Sequence, residues 1–232
     1  FRIIAMKVVI SLGGSLLTKE LSSENFRKYA SVILRLWGEG HRLIVVCGGG
    51  RVCRDYRDVA KGFGASNNDL DFIGIMATHI NASTFYTALG DSAYLVRWKS
   101  LEEAKDEVAE NFEEKIIVAA GYDVGTSSDY DATAFADLVG ADMIINATNV
   151  DGVYSADPKK DPIARKYDKV SYDDFEKIIM QNEQAPGEYR FFDLESTRLI
   201  KSRRIKAVFI NGNDPEEIAR AVQGTHHGTT VG

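Results

Sequence analysis

Two short, largely apolar runs break off directly into glycine: residues 6–12 into Gly13-Gly14-Ser15, and residues 43–47 into Gly48-Gly49-Gly50. Runs of this length, rich in valine, isoleucine and leucine, predict strands buried on both faces. Amphipathic stretches follow them. Between residues 23 and 37, Phe26, Ala30, Ile33, Leu34 and Trp37 fall at helical spacing, with Ser22 or Ser23 as cap and Gly38 or Gly40 as stop. The same reading predicts helices over 52–63, 70–89 and 132–138, and strands over 93–96, 115–119, 143–147 and 206–210. Two further helical patterns precede the last strand and one more helix follows it. Strand–helix alternation of this kind predicts an α/β fold, a three-layer αβα sandwich around a mostly parallel central sheet.

Composition narrows the function. The chain has 232 residues, 44% of them hydrophobic, and a net charge of −6, which argues against a general nucleic-acid binder. It leaves an acidic small-molecule substrate open, because a site's charge is local. The two cysteines, Cys47 and Cys53, form neither a disulfide framework nor a zinc pattern, and Cys47 reads as a reduced core residue. No apolar run has the length of a membrane span, and no signal peptide is visible, so a cytoplasmic protein is expected. Met6 reads as a natural start, which leaves residues 1–5 outside the argument.

In a parallel sheet, ligands gather where loops leave the carboxyl ends of the strands. Here those loops are Gly13-Gly14-Ser15; Gly48-Gly49-Gly50 followed by Arg51 and Arg54; the glycine- and hydroxyl-rich stretch from Gly121 to Asp129; and the stretch from Thr148 to Pro158. One glycine-rich turn is weak evidence. Three on one sheet edge, opening helices and accompanied by arginines, predict a site long enough for several phosphates. The P-loop pattern, the dinucleotide fingerprint and the G-x-S-x-G elbow are all absent. The four histidines do not cluster: His79 falls on a helical pattern, and His226 and His227 read as surface residues in the tail.

Four fragments together carry a resemblance: TNVDGVYSADPKKDP (residues 148–162), VVCGGGRVCRDY (45–56), DFIGIMATHINA (71–82) and the closing GTHHGTTV (224–231). They resemble the amino acid kinase superfamily, and within it the archaeal uridylate kinase branch, from Met6 to Val231. The resemblance implies an amino acid kinase-like fold over 6–232, with an acceptor lobe (6–140) and an ATP lobe (141–232). It also implies transfer of the ATP γ-phosphoryl group to UMP with Mg²⁺ held mainly through nucleotide phosphates, and a homo-oligomer, a hexamer built as a trimer of dimers. Carried over by position, Gly14 and Ser15 would face the transferring phosphates, with Arg54 and Asp129 beside them as catalytic groups. Gly50, Arg54, Thr148, Asn149, Tyr154 and Asp157 would bind ATP. Gly49, Asp71, Tyr122, Asp123, Val124, Gly125, Thr126, Ser127 and Ser128 would bind UMP.

Two of these residues carry a plainer reading as well. Asp71 is either a ribose clamp or a helix cap before Phe72, and Asp129 is either a site residue or a first-turn acid favoured by the helix dipole. Many superfamily members have a lysine two residues before the first glycine; here that position is Ser11, and Mg²⁺, Arg54, Lys7 or Lys159 would have to supply the charge. Two alternatives remain open at this point. One is a sister kinase for another small phosphate or carboxylate, such as isopentenyl phosphate or N-acetylglutamate. The other is a non-catalytic nucleotide-binding or storage protein on the same fold.

Overall fold

The computed structural model describes residues 4–158, 161–183 and 192–232. Lys159, one expected source of charge, lies outside them. A single sheet of eight strands runs β3-β4-β2-β1-β5-β7-β8-β6. Its centre is β1 (Lys7–Leu12), which pairs in parallel with β2 (Arg42–Cys47) on one side and β5 (Met143–Thr148) on the other. The strands β3 (Ala93–Leu95), β4 (Ile116–Ala119) and β7 (Lys206–Asn211) extend it, also in parallel. Two short strands that the sequence reading lacked complete it: β6 (Lys169–Val170) and β8 (Thr229–Val231), the latter antiparallel to β7. Strands this short carry too few alternating positions to register as a pattern.

The pleat sorts the core. Val8, Ile10 and Leu12 point to the face covered by α2 (Ser23–Gly38), α4 (Asn67–Leu89) and α9 (Glu216–Gln223). Val9, Ile44 and Ile144 point to the face covered by α5 (Leu101–Asn111), α6 (Ser128–Val139), α7 (Tyr172–Glu183) and α8 (Leu194–Arg203). Full burial of every residue from Val8 to Ile10 and from Leu43 to Cys47 explains why these runs are apolar without alternation.

Helix boundaries shift from the expected ones for identifiable reasons. Helix α4 begins at Asn67 because Ser66 and Asp69 close a capping box ahead of it. Asp71 therefore sits inside the helix, and its reading as a cap before Phe72 is withdrawn. Helix α6 begins four residues earlier than the apolar spacing indicated, with Ser127 as N-cap accepting from the Tyr130 amide. Gly13-Gly14-Ser15 is less a loop than a helix start, since α1 (Gly14–Thr18) begins at once. Likewise α3 (Gly50–Gly62) begins at the last glycine of the second cluster.

Candidate active site

The two glycine clusters lock into each other through their backbones. The Gly13 amide donates to the carbonyl of Ala147 (2.9 Å) and the Gly48 amide to that of Leu12 (2.9 Å), so three neighbouring strands fix both turns. A Cβ on Gly14 would overlap the Gly48 carbonyl and the Gly50 amide nitrogen, and one on Gly50 would overlap the Gly14 carbonyl. Gly50 also has φ +65°, a left-handed conformation that favours glycine. Both positions thus require glycine for close backbone approach. Two side chains absent from the sequence expectation pin the contact. Thr18 Oγ1 donates to the Gly14 carbonyl (2.8 Å) and accepts from the Arg51 amide (3.0 Å). Asn81 Nδ2 donates to the Gly48 (2.7 Å) and Gly49 (3.2 Å) carbonyls.

A cavity of about 340 Å³ opens directly on this interlock, lined by Ser15, Leu16, Lys19, Arg51, Arg54, Asn149 and Asn213. Of the expected residues it gathers Ser15, Arg54 and Asn149. Lys19 was missed; it lies four residues after Ser15, so recognition of α1 as a helical turn would have put the two on one face. Its Nζ donates to Asn213 Oδ1 (3.3 Å), just beyond β7. Lys7, by contrast, is removed as a source of charge. It sits at the opposite end of β1, about 20 Å from Gly13 at the rise of a strand, donating to the Val139 carbonyl and paired with Glu113.

Asp129 is more than a first-turn acid. Its Oδ1 accepts from Ser11 Oγ (2.7 Å) and from Asn146 Nδ2 (2.9 Å), two residues in register on β1 and β5. Burial raises its carboxyl to about 7 and the nearby Asp193 adds to the shift, against the hydrogen bonds of Ser11 and Asn146. Asn146 is buried, and its Oδ1 has no hydrogen-bond partner among the described residues. On the same helix Asp131 is fully buried, with neither oxygen hydrogen-bonded among the described residues. Burial lifts it to about 8; the Tyr122 amide opposes the shift without satisfying hydrogen-bond geometry, and the Asp123, Asp129 and Asp193 carboxylates add to it.

The stretch from 121 to 128 is anchored from beneath. The Gly121 amide donates to Thr78 Oγ1 (2.9 Å), and its carbonyl accepts from His79 Nε2 (2.9 Å). The Tyr122 ring is buried against His79 and Phe135, and its hydroxyl donates to the Val96 carbonyl, so this residue can offer a ligand only backbone. Asp123 accepts from the Leu101 amide and Thr126 Oγ1 donates to the Asp123 carbonyl, which closes the turn. Val124 and Gly125 stay exposed at its tip, and the hydroxyl of Ser127 is spent on Asp193 (2.6 Å). Asp71 faces α3 through an ion pair with Arg57 (3.6 Å).

On the far side, Thr148 Oγ1 accepts from the Val150 amide, and Tyr154 donates its hydroxyl to Asp151 (2.8 Å); burial first, and then Asp151, raise the phenol to about 12. Thr229 ties this segment to β8: its hydroxyl accepts from the Val153 amide (2.9 Å) and donates to the Tyr167 carbonyl. His227 is exposed as expected, whereas His226 is half-buried and hydrogen-bonded to Thr230. Among the described residues no three histidine, cysteine or acidic side chains converge as a metal site, and no helix is long and apolar enough to cross a membrane.

Fold and site together define a class: an α/β protein with interlocked glycine turns and a cavity lined by Lys19, Arg51 and Arg54 at the carboxyl edge of a mostly parallel sheet. Residues 6–211 match the amino acid kinase family, and the chain belongs to it. It is 41% identical to a uridylate kinase of Methanothermobacter thermautotrophicus, over 97% of this chain and 99% of that one. It is 38% identical to a uridylate kinase of Archaeoglobus fulgidus over 97% of this chain and all of the other. The crystal structure of uridylate kinase from Archaeoglobus fulgidus superposes with a TM-score of 0.84, at 37% identity, covering 98% of this chain and 100% of that one.

Proposed function

We propose that this chain is a uridylate kinase, transferring the γ-phosphoryl group of ATP to UMP to give UDP and ADP in pyrimidine nucleotide synthesis. The observation that carries this reading is the positively lined cavity on the glycine interlock, in a chain alike to archaeal uridylate kinases over nearly its full length. Phosphoryl transfer asks little covalent chemistry of a protein; it asks for in-line positioning and for charge placed around the equatorial oxygens.

The residues divide the work. Backbone N–H groups of Gly14 and Ser15, at the start of α1, face the transferring phosphates, and Gly50 and Arg54 approach from α3. Arg54 forks onto phosphate oxygens, with Lys19 and Arg51 adding charge on the same wall. Thr148, Asn149, Tyr154 and Asp157 hold the adenine nucleotide. Gly49, Asp71 and residues 122–128 hold UMP, Tyr122 through its backbone and Asp71 by accepting from ribose hydroxyls. Asp129 anchors Ser11 and Asn146 beneath the transfer point. Mg²⁺, held mainly by nucleotide phosphates, neutralises phosphate charge when bound.

The same reading assigns residues 6–140 to the acceptor and 141–232 to ATP, in one domain, and sets the enzyme in the cytoplasm as a homo-oligomer, a hexamer built from dimers. An exposed stripe on α3 supports association: none of its residues is buried, and Tyr56, Val59 and Phe63 stand out of the surface one helical turn apart. Coupled ADP-release assays with UMP, CMP, isopentenyl phosphate and N-acetylglutamate test the activity. UMP is expected to dominate. Turnover on isopentenyl phosphate or N-acetylglutamate without turnover on UMP would transfer the chain to a sister kinase, and binding of both ATP and UMP without UDP formation would make it a nucleotide-binding protein.

A further inference from the structure

We propose that Arg57 is a positioning residue of the acceptor site: it holds Asp71 in place for the ribose hydroxyls and so sets a preference for the ribonucleotide over its 2′-deoxy form. The inference rests on the proposed function, which gives Asp71 the ribose of UMP. Three arginines stand one helical turn apart on α3: Arg51, Arg54 and Arg57. Arg51 pairs within the helix with Asp55 (3.3 Å), and both Arg51 and Arg54 line the phosphate cavity. Arg57 instead reaches across to α4, where its Nη2 stands 3.6 Å from Asp71 Oδ1. Asp71 has no other ion pair and no side-chain hydrogen bond among the described residues, which leaves Oδ2 open to a ligand.

The two helices make room for this contact. Asp71 and Gly74 are three residues apart on α4 and share a face. A Cβ on Gly74 would touch Cys53 Sγ (3.5 Å) and stand 4.0 Å from Arg57 Nη1, so the bare glycine leaves the guanidinium its slot. A Cβ on Gly49, also assigned to UMP, would stand 3.6 Å from the Gly74 carbonyl, which places the pair at the edge of the glycine interlock. Folding does not account for the pair. Its side chains are 37% and 35% exposed, and ion pairs open to solvent add little to stability. Function does account for it. A carboxylate that must meet two ribose hydroxyls gains from a fixed orientation, because each rotamer lost on binding weakens affinity. The same carboxylate would repel an incoming nucleoside monophosphate, and a guanidinium beside it offsets that charge. Arg57 therefore acts through Asp71, whereas Arg54 acts on the phosphates from the next face of α3.

The test is a double-mutant cycle on the full chain, read by calorimetric titration and steady-state kinetics with UMP and 2′-deoxy-UMP. Arg57→Ala is expected to weaken UMP binding about fivefold, the scale of one charge-assisted contact, with a smaller effect on kcat and the unfolding midpoint nearly unchanged. The preference for UMP over 2′-deoxy-UMP is expected to narrow, and Arg57→Lys, which keeps the charge, to recover part of it. In an Asp71→Asn background, Arg57→Ala is expected to add almost nothing, as residues acting through one another are not additive. Should Arg57→Ala fold poorly, Arg57→Gln gives the same comparison. Full UMP affinity with an unchanged ribose preference overturns the role of Arg57 and leaves the uridylate kinase reading intact. Effects that add in the double variant also overturn it, because Arg57 would then act apart from Asp71. A wild type that neither binds nor phosphorylates UMP overturns both readings.

Discussion

Arg54 and Asp71 lie on adjacent helices, and the physics gives them separable effects. Arg54 stands exposed on the wall of the cavity with Lys19 and Arg51, where its charge acts on the moving phosphoryl group. Arg54→Ala is expected to lower kcat about 10²-fold with a smaller change in KM for UMP, because a donor that stabilises developing charge is lost. The reverse pattern in steady-state kinetics would move Arg54 to the acceptor side. Asp71 is held by Arg57 and has no capping duty, so Asp71→Asn is expected to weaken UMP binding by about 1–3 kcal/mol with the unfolding midpoint nearly unchanged. Calorimetric titration with UMP decides it; full UMP affinity in the variant would take Asp71 out of the site. At this scale the sequence was informative about residue type and poor on context. The hydroxyl of Ser127 is legible as a phosphate ligand in the string, and only the fold shows it turned onto Asp193.

Elements are held to one another by a few polar ties that sequence patterns do not reveal. Glu217, near the start of α9, reaches the tail before β8: it accepts from the amide and the ring of His227 (2.9 and 2.7 Å) and pairs with Arg220. Burial alone would raise its carboxyl, but the hydrogen bonds of His227 and Arg220 outweigh it and hold the group at about 2, below the ordinary 4.5. A depressed carboxylate adds stability above its unfolded value and loses it as pH falls through the folded one. Wild type is therefore expected to lose stability steeply as pH falls from about 4.5 toward 2. Glu217→Gln is expected to unfold more easily at neutral pH and to show a flatter acid limb. Thermal unfolding followed across this window checks both; parallel curves for the two proteins would deny Glu217 the role. The tie matters for function because β8 also carries Thr229, which fixes the segment around Val153 and Tyr167 next to the proposed adenine site.

Across the whole molecule, a strand order of 3-4-2-1-5-7-8-6 places β1 between the β2–β4 half and the β5–β7 half, so the proposed acceptor and ATP regions meet on its carboxyl end. Hydrogen exchange should show this division. UMP is expected to slow exchange in α3, α4 and residues 121–128, and ATP to slow it in residues 148–158 and at Thr229; protection of the same segments by both nucleotides would refute the two-sided site. The sequence by itself determined the α/β class, the central strands and the glycine turns. Full burial demands uninterrupted apolar runs, and backbone-to-backbone contact between Gly14 and Gly50 tolerates no Cβ, so both leave local marks. Only the tertiary structure decided which charges share the cavity. Lys19, Arg51 and Asn213 come from three elements, Lys7 is carried to the wrong end of its strand, and Ser11 meets Asn146 and Asp129 across 135 and 118 residues of chain. Such meetings depend on strand order and register, which arise from packing the whole sheet and leave no periodicity in any one segment.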